Sequence, residues 1–378
     1  LLLDLVRGLD TLRYNPYVWT NCESLHKEVL RSGVHSELSE FNRLFVTKGS
    51  RFNLSAWLKQ VRQARNMIDE FEIDLIHANS AAPCQWMTVA SRLSGVPLVT
   101  QLHSDYPSFE RMIYGLHMSP RVIAVSEAIT KYLSKDGYPN DNISVIHNGL
   151  DIERFNHKEY LNVKHELGIP KNSYLFVTVG SLIHRKGIDR VITALRFVLL
   201  EYPDTHLLVI GQGPLKQKLE QHAECVHVEK NVHFVGEQTN VLTWLKGCDG
   251  YVSGARQEAF GLVFNEAALA ELPIIAPEEG GIPEIITHKK NGLLYKNKGI
   301  GPLVNTMRAV IKNRKPAKAL GVRAKANVIK NHSCEENVKR IQAVYDASIR
   351  EKSTTKIRLW RTLSPIRTYI SNRFAVGR

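Results

Sequence analysis

The strongest constraint in this chain is a pattern that stops and then starts again. Short apolar runs alternate with amphipathic helical stretches, the alternation lapses into a polar segment reaching Pro170, and it resumes at Tyr174. In the first run, Trp57, Val61, Ala64 and Ile68 fall at helical spacing, and strands are expected over Ile73–Ile76, Pro97–Leu102 and Arg121–Val125. Helices are expected over Gln85–Leu93, closed by Gly95 and Pro97, and over Glu127–Leu133, with Ser126 as the cap. In the second run, strands are expected over Tyr174–Val179, Thr205–Ile210, Val232–Val235, Gly250–Val252 and Pro273–Ala276. Ile188, Val191, Leu195 and Val198 mark one helix face. Strand–helix alternation builds a parallel sheet with helices on both faces. Two such runs in 378 residues predict two similar α/β domains facing across a cleft, with ligands gathering at the carboxyl ends of the strands. The expected boundaries are 1–168 for the first domain, 169–335 for the second, and 336–378 for a C-terminal helix and basic tail.

Composition narrows the partners. The chain is 43% hydrophobic and 23% charged, as in a folded globular protein, and no window approaches 18 uninterrupted apolar residues. Cys22, Cys84, Cys225, Cys248 and Cys334 are odd in number, with no zinc-ligand spacing, which reads as reduced thiols in a cytoplasmic protein. A formal charge of +13 asks for an anionic partner. Without an aromatic-interleaved basic stripe, nucleic acid is not the expected one. Leu1, Leu5, Leu9 and Leu12 sit at helical spacing, so the chain opens inside a helix where an α/β domain opens with a strand. The expectation is a domain lacking its first strand, with residues missing upstream.

The stretch Glu258-Ala-Phe-Gly-Leu-Val-Phe-Asn-Glu266 carries the most chemistry. It lies between the strand at Tyr251-Val252 and a helix through Ala267–Ala270. Glu258 is therefore expected on the loop at the strand's carboxyl edge, and Glu266 in the early turns of the helix. N–H groups near Phe260, Gly261 and Leu262 would lie at the helix N-terminus, where a phosphate is well placed. Gly261 lets the backbone come close to a ligand. A carboxylate accepts from two hydroxyls at once, which suits a ribose diol or the vicinal hydroxyls of a sugar. Two acids can also favour a helix N-terminus through its dipole alone, but that does not account for their flanking elements.

Those flanking elements are Ser253, the E-x7-E spacing, the Phe-Gly after the first Glu, and Gly280-Gly281-Ile-Pro-Glu284. Together they resemble the family 4 (group 1) retaining glycosyltransferases of GT-B fold, built from two Rossmann-like domains. The resemblance extends to Val179-Gly-Ser-Leu-Ile-His-Arg-Lys-Gly187, Gly211-Gln-Gly-Pro214 and Val145-Ile-His-Asn-Gly-Leu-Asp151. It also takes in Asp74-Leu-Ile-His77, Pro97-Leu-Val-Thr-Gln-Leu-His103 and Ile123-Ala-Val-Ser-Glu127, so that motifs recur in order from about residue 70 to 295.

The resemblance implies roles. Glu266 would hold the nucleotide's ribose and Glu258 the transferred sugar, with Gly280 and Gly281 beside it. Arg185 and Lys186 would neutralise the diphosphate as it leaves. His103 would serve near the reacting sugar or acceptor, while His77, His147 and His184 are expected as packing or surface residues. Ser181 stands where many relatives carry Arg, with Arg185 as the relocated cation, and the family's glycine-rich loop after the first strand is absent from this sequence. No metal and no cofactor are implied, since the nucleotide-sugar is a substrate and no Asp-x-Asp lies between apolar strand residues.

The expected activity is transfer of a sugar to a glycan or lipid-linked acceptor, as in polysaccharide or lipopolysaccharide synthesis. A nucleotide-sugar epimerase and a non-catalytic scaffold are the alternatives on the same architecture. From Lys352 to Arg378 the chain carries seven basic residues and no acid, with Leu359, Leu363, Ile366, Ile370 and Phe374 at helical spacing. Such a segment suits an anionic membrane surface and predicts peripheral attachment on the cytoplasmic face.

Overall fold

The structure is a computed structural model that describes residues 1–44, 53–153 and 161–352. The chain divides into two compact units, one formed by Leu1–Gly149 with the segment from Cys334 onward, the other by Leu150–Ser333. The first boundary therefore falls earlier than the 168/169 expected from the polar linker. Leu150 donates its N–H to His332 O at 2.9 Å, and Lys164 pairs with Asp249 at 2.8 Å, which ties the linker to the second unit.

The first unit runs α1 (Leu2–Gly8), β1 (Tyr17–Thr20), α2 (Glu23–Arg31), β2 (His35–Leu38), α3 (Leu54–Glu70), β3 (Ile76–Ala78) and α4 (Cys84–Ser94). It continues through β4 (Leu98–Leu102), α5 (Ser108–Ile113), β5 (Arg121–Ala124), α6 (Glu127–Lys135) and β6 (Ile143–Val145). The stripe from Trp57 to Ile68 is the inner face of α3, and Ser126 stands at the N-cap position of α6, as expected. The strand expected at Ile73–Ile76 lies three residues later, because Glu72 turns at φ 48° and Ile73 N–H still bonds back to Ile68 O. The helix at the start closes at Gly8, and Leu12, expected on its face, is 95% exposed. The pair β1 and β2 with α2 between them has no counterpart in the sequence reading. Their strands are four residues long and each carries two buried positions or fewer, which leaves little periodic signal.

Every strand pair in this unit is parallel, but the strands fall into two sheets, β1–β2 and β3–β4–β5–β6. Among the described residues no strand pairs with the other edge of β1 or of β3. One layer of helix packs on both sheets. Leu5 of α1 joins Val99 and Ile123, whereas Val6 of the same helix joins Val18 and Val29.

The second unit runs α7 (Val163–Glu166), β7 (Tyr174–Val179), α8 (Ile188–Leu199), β8 (Thr205–Ile210), α9 (Lys216–Cys225), β9 (Val232–Gly236) and α10 (Val241–Lys246). It continues through β10 (Gly250–Val252), α11 (Leu262–Leu269), β11 (Ile274–Pro277), α12 (Ile282–Ile285), β12 (Leu293–Tyr295), α13 (Gly301–Lys312) and α14 (Arg314–Asn331). Its six strands form one parallel sheet in the order β12–β11–β10–β7–β8–β9. The chain winds outward from β7 in one direction, then returns to begin again at β10. The switch point therefore lies between β7 and β10, and the loops leaving these two neighbours diverge above it. Phe176, Leu207 and Val209 of the sheet are fully buried against Val191, Leu195 and Val198 of α8, so the strand ends rest on a close-packed layer.

The last described helix, α15 (Cys334–Arg350), belongs to the first unit. Val338, Ile341 and Tyr345 pack with Leu5, Val99, Ile123 and Ile146. The amphipathic tail expected over Leu359–Phe374 lies outside the described residues, and among the described residues no helix is long and apolar enough to cross a membrane. Replacing the 1%-exposed Ile341 with alanine leaves a cavity under the sheet. Ile341→Ala is expected to destabilise the first unit by about 2–4 kcal/mol, read from its denaturant midpoint.

Candidate functional site

At the switch point of the second unit, two loops lie in backbone contact. One is the turn His184–Gly187 that follows β7, and the other is the segment Ser253–Gly261 that follows β10. Gly187 has φ 61°, and a Cβ added there would meet Gly254 O at 1.9 Å; one added at Gly254 would meet Gly187 O at 2.1 Å. Only two glycines let the strands' exits come this close. Arg256 then fastens the turn. Its N–H donates to Arg185 O at 2.8 Å, and its guanidinium donates to His184 O at 2.9 Å and to both oxygens of Asp189, at 2.8 and 2.6 Å. Burial pushes the Asp189 carboxyl up, but its hydrogen bonds to Arg256 outweigh this and hold it below the ordinary value. A third loop joins from β8, where Leu182 N–H donates to Gln212 O and Leu215 N–H to Leu182 O, at 2.8 and 3.0 Å.

This frame brings Arg185, Lys186 and Glu258 together. The Glu258 side chain is buried at 7% exposure, with Arg185 Nη1 on one carboxylate oxygen at 3.2 Å and Lys186 Nζ on the other. The Arg185 guanidinium also reaches Gln257 O at 3.2 Å and stays partly exposed. The main chain of Glu258 is fixed from the opposite side. Its carbonyl accepts from Gly281 N–H at 3.0 Å, and Gly280, at φ 56°, lies so near that an added Cβ would stand 2.0 Å from that oxygen. Gly280 and Gly281 thus hold the loop that carries the carboxylate.

Glu266 is different. It lies on α11 with no cation and no hydrogen-bond donor on its carboxylate among the described residues, and burial alone raises its pKa above the ordinary value. A half-enclosed carboxylate without donors is suited to accept the two hydroxyls of a diol. Gly261 is the N-cap of α11 at φ 94°, and the helix begins at Leu262, whose N–H has no intrahelical acceptor. The Phe260 ring is buried and packs edge-on to His332 at 5.9 Å. Ser181 is exposed on the turn beside Gly180. Two cations, a helix N-terminus and two carboxylates on one sheet edge can bind a diphosphate flanked by hydroxylated rings.

His103 belongs to the other unit, at the end of β4. Its Nε2 bonds to Asn79 Oδ1 at 2.8 Å, and its Nδ1 is buried without a partner. The ring borders a small cavity of mixed lining, with Asn79, Gln101 and Asn337 beside Leu2, Leu5 and Ile341. Burial lowers its pKa to about 4, so the imidazole is neutral near pH 7. With Nε2–H donated to Asn79, Nδ1 is an acceptor without a partner among the described residues. His77, expected as a packing or surface residue, is partly buried and bonds Tyr345 Oη through Nδ1 at 2.7 Å. Asp189 and Arg256 escaped the sequence reading. Arg256 lies only two residues before Glu258, but its partner is 67 residues away and no local spacing pairs them.

A parallel sheet with a charged cluster at its switch point has the build of an α/β ligand-binding domain, and the comparisons give it a family. A model of group 1 glycosyl transferases matches residues 161–327, and one of glycosyltransferase family 4 matches residues 1–154. The chain belongs to this family of glycosyltransferases. It is 26% identical over 316 residues to the N-acetyl-alpha-D-glucosaminyl L-malate synthase of Bacillus anthracis, spanning 80% of this chain and 81% of that one. It is 25% identical over 279 residues to a GDP-mannose-dependent alpha-(1-6)-phosphatidylinositol monomannoside mannosyltransferase of Mycobacterium tuberculosis, spanning 68% and 71%. HepE of Anabaena, solved with UDP-glucose, aligns at a TM-score of 0.77 and 21% identity, covering 92% of this chain and 94% of that one. The fold is therefore GT-B, two Rossmann-like α/β domains, as the sequence predicted.

The glycine contact gives a direct check. In Gly187→Ala the added methyl cannot fit 1.9 Å from Gly254 O, so the basic turn must lift away from the Glu258 loop. The protein is expected to lose about 2 kcal/mol or more of stability. Binding of UDP or GDP, measured by calorimetry below the unfolding temperature, is expected to weaken at least about tenfold as charge-assisted contacts are displaced.

Proposed function

We propose that this glycosyltransferase is a retaining enzyme that uses a nucleoside-diphosphate sugar as donor, a glycan or lipid-linked hydroxyl as acceptor, and no metal ion. The observation that carries the reading is the pairing of Arg185 and Lys186 with a buried carboxylate beside the N-terminus of α11, while Glu266 has no donor of its own. HepE was solved with UDP-glucose, and the mycobacterial relative is named for GDP-mannose and a phosphatidylinositol mannoside; both fit the donor and acceptor classes.

In this reading Glu266 accepts the ribose diol, the first turn of α11 meets the phosphates, and Glu258 accepts hydroxyls of the sugar. The bond from the anomeric carbon to the phosphate oxygen breaks, and Arg185 and Lys186 stabilise the negative charge that grows on the diphosphate. The acceptor oxygen attacks from the face being vacated, and its proton passes to the departing phosphate oxygen. The new glycosidic bond keeps the donor's configuration. Neutral His103, with an acceptor nitrogen that has no partner among the described residues, is the first unit's candidate for binding an acceptor hydroxyl.

The first test is a donor panel of UDP-glucose, UDP-N-acetylglucosamine and GDP-mannose against membrane lipid extracts and simple hydroxyl acceptors. The product's anomeric configuration, read by proton NMR, is expected to match the donor's, with the rate unchanged in EDTA. Inversion would overturn the retaining assignment, and a rate lost to EDTA and restored by magnesium would overturn metal independence.

A second test separates the residues. Lys186→Ala is expected to lower kcat roughly a hundredfold with a smaller change in KM, because its charge matters most as the diphosphate leaves. Glu266→Gln is expected to weaken nucleotide affinity by about tenfold or more, by loss of a charged hydrogen bond. Equal turnover at saturating donor in Lys186→Ala would remove the basic turn from the mechanism.

A further inference from the structure

The two carboxylates of the site are in opposite electrostatic states. Glu266 has no donor, whereas Glu258 has a cation on each of its oxygens. Among the described residues neither Arg185 nor Lys186 has another acidic partner. We propose that Glu258 is a built-in stand-in for the diphosphate: its carboxylate holds Arg185 and Lys186 while the site is empty and gives them up when the nucleotide's phosphates arrive.

The surroundings fit an exchange confined to side chains. The main chain cannot follow, because Arg185 O is held by Arg256 N–H at 2.8 Å and Glu258 O by Gly281 N–H at 3.0 Å. The guanidinium of Arg185 is 40% exposed and can turn. The Lys186 stem lies against the bare Cα of Gly180, where an added Cβ would stand 3.5 Å from its Cε, so it has room to swing along a surface that carries no side chain. A diphosphate brings at least two negative charges against the carboxylate's one, and it attracts both cations more strongly at similar distance. Glu258 is then left as a buried carboxylate short of donors, an unfavourable state unless new donors come. Sugar hydroxyls are such donors. The exchange makes the sugar and the diphosphate bind cooperatively. A bare nucleoside diphosphate must strip Glu258 without compensating it, and the intact nucleotide-sugar repairs the loss.

This inference rests on the donor-site reading above, and the experiment keeps the two apart. UDP, GDP, UDP-glucose and GDP-mannose are titrated calorimetrically into the full chain and into Glu258→Gln and Glu258→Ala, with thermal unfolding as the check that each variant folds. In the wild-type chain one nucleoside diphosphate is expected to bind, and more weakly than its sugar conjugate. In both variants the bare diphosphate is expected to bind about three- to tenfold more tightly than in wild type, since no internal anion competes, and the sugar's advantage is expected to vanish. Equal or weaker diphosphate binding in the variants would overturn the stand-in role, making Glu258 a group that positions the cations. Absence of any nucleotide binding by the wild-type chain would overturn the donor-site reading itself. A crystal structure of the wild-type chain with the nucleoside diphosphate gives a variant-free check. Lys186 Nζ still on Glu258 would refute the exchange, and Lys186 Nζ on a phosphate oxygen would support it.

Discussion

Two glycine backbones in contact, Gly187 against Gly254, set the geometry on which the site depends. Parallel strands that diverge at a switch point leave their outgoing loops apart unless something draws them together. Here the loops touch through main-chain atoms, and a side chain on either glycine would keep them separate. Once they touch, Arg256 can reach over to Asp189 and the carbonyl of His184, and the turn that carries two cations is fixed against the loop that carries Glu258. The bidentate contact between Arg256 and Asp189 gives direction as well as attraction, because a planar guanidinium meets both oxygens only in one orientation. The Gly280 turn supports the same loop from the β11 side. The site is a product of loop-to-loop contacts above a rigid sheet, which is where this class of sheet places its ligands.

The chemistry follows from how charge is shared at that place. One carboxylate is compensated by two cations and the other by none, although they are eight residues apart and share an electrostatic neighbourhood with the buried Tyr251 hydroxyl. A group that lacks donors awaits them, and a group that has them must exchange them before it can act on something else. This difference sets the two glutamates apart electrostatically without any appeal to their order in the sequence. His103, neutral through burial and with one nitrogen uncommitted, is a third kind of group, a buried acceptor.

Much of this was legible beforehand because the relevant signals are local. Alternating runs located half the strands of the first unit and all but β12 of the second, and Tyr174–Val179, Thr205–Ile210 and Gly250–Val252 match their observed bounds. The spacing of Glu258 and Glu266 and the glycine between them placed one acid on a loop and the other on a helix, as found. The short strands β1, β2, β6 and β12 stayed hidden. The strands β1 and β2 are too short and too little buried to alternate visibly, and the first helix runs out at Gly8 although its leucine spacing continues to Leu12.

The sequence alone therefore determined the α/β class, the two-unit plan and the family, since these depend on periodicity and short motifs. Only the tertiary structure decided that the linker after Gly149 sides with the second unit and that α15 returns to the first. It alone decided that Arg256 belongs with Asp189, and that Glu258 is already occupied by Arg185 and Lys186 while Glu266 is not. The site contacts join residues about seventy positions apart and the unit assignments join residues much farther apart, and the distance between such residues is set by how strands stack in a sheet, a quantity no local pattern encodes.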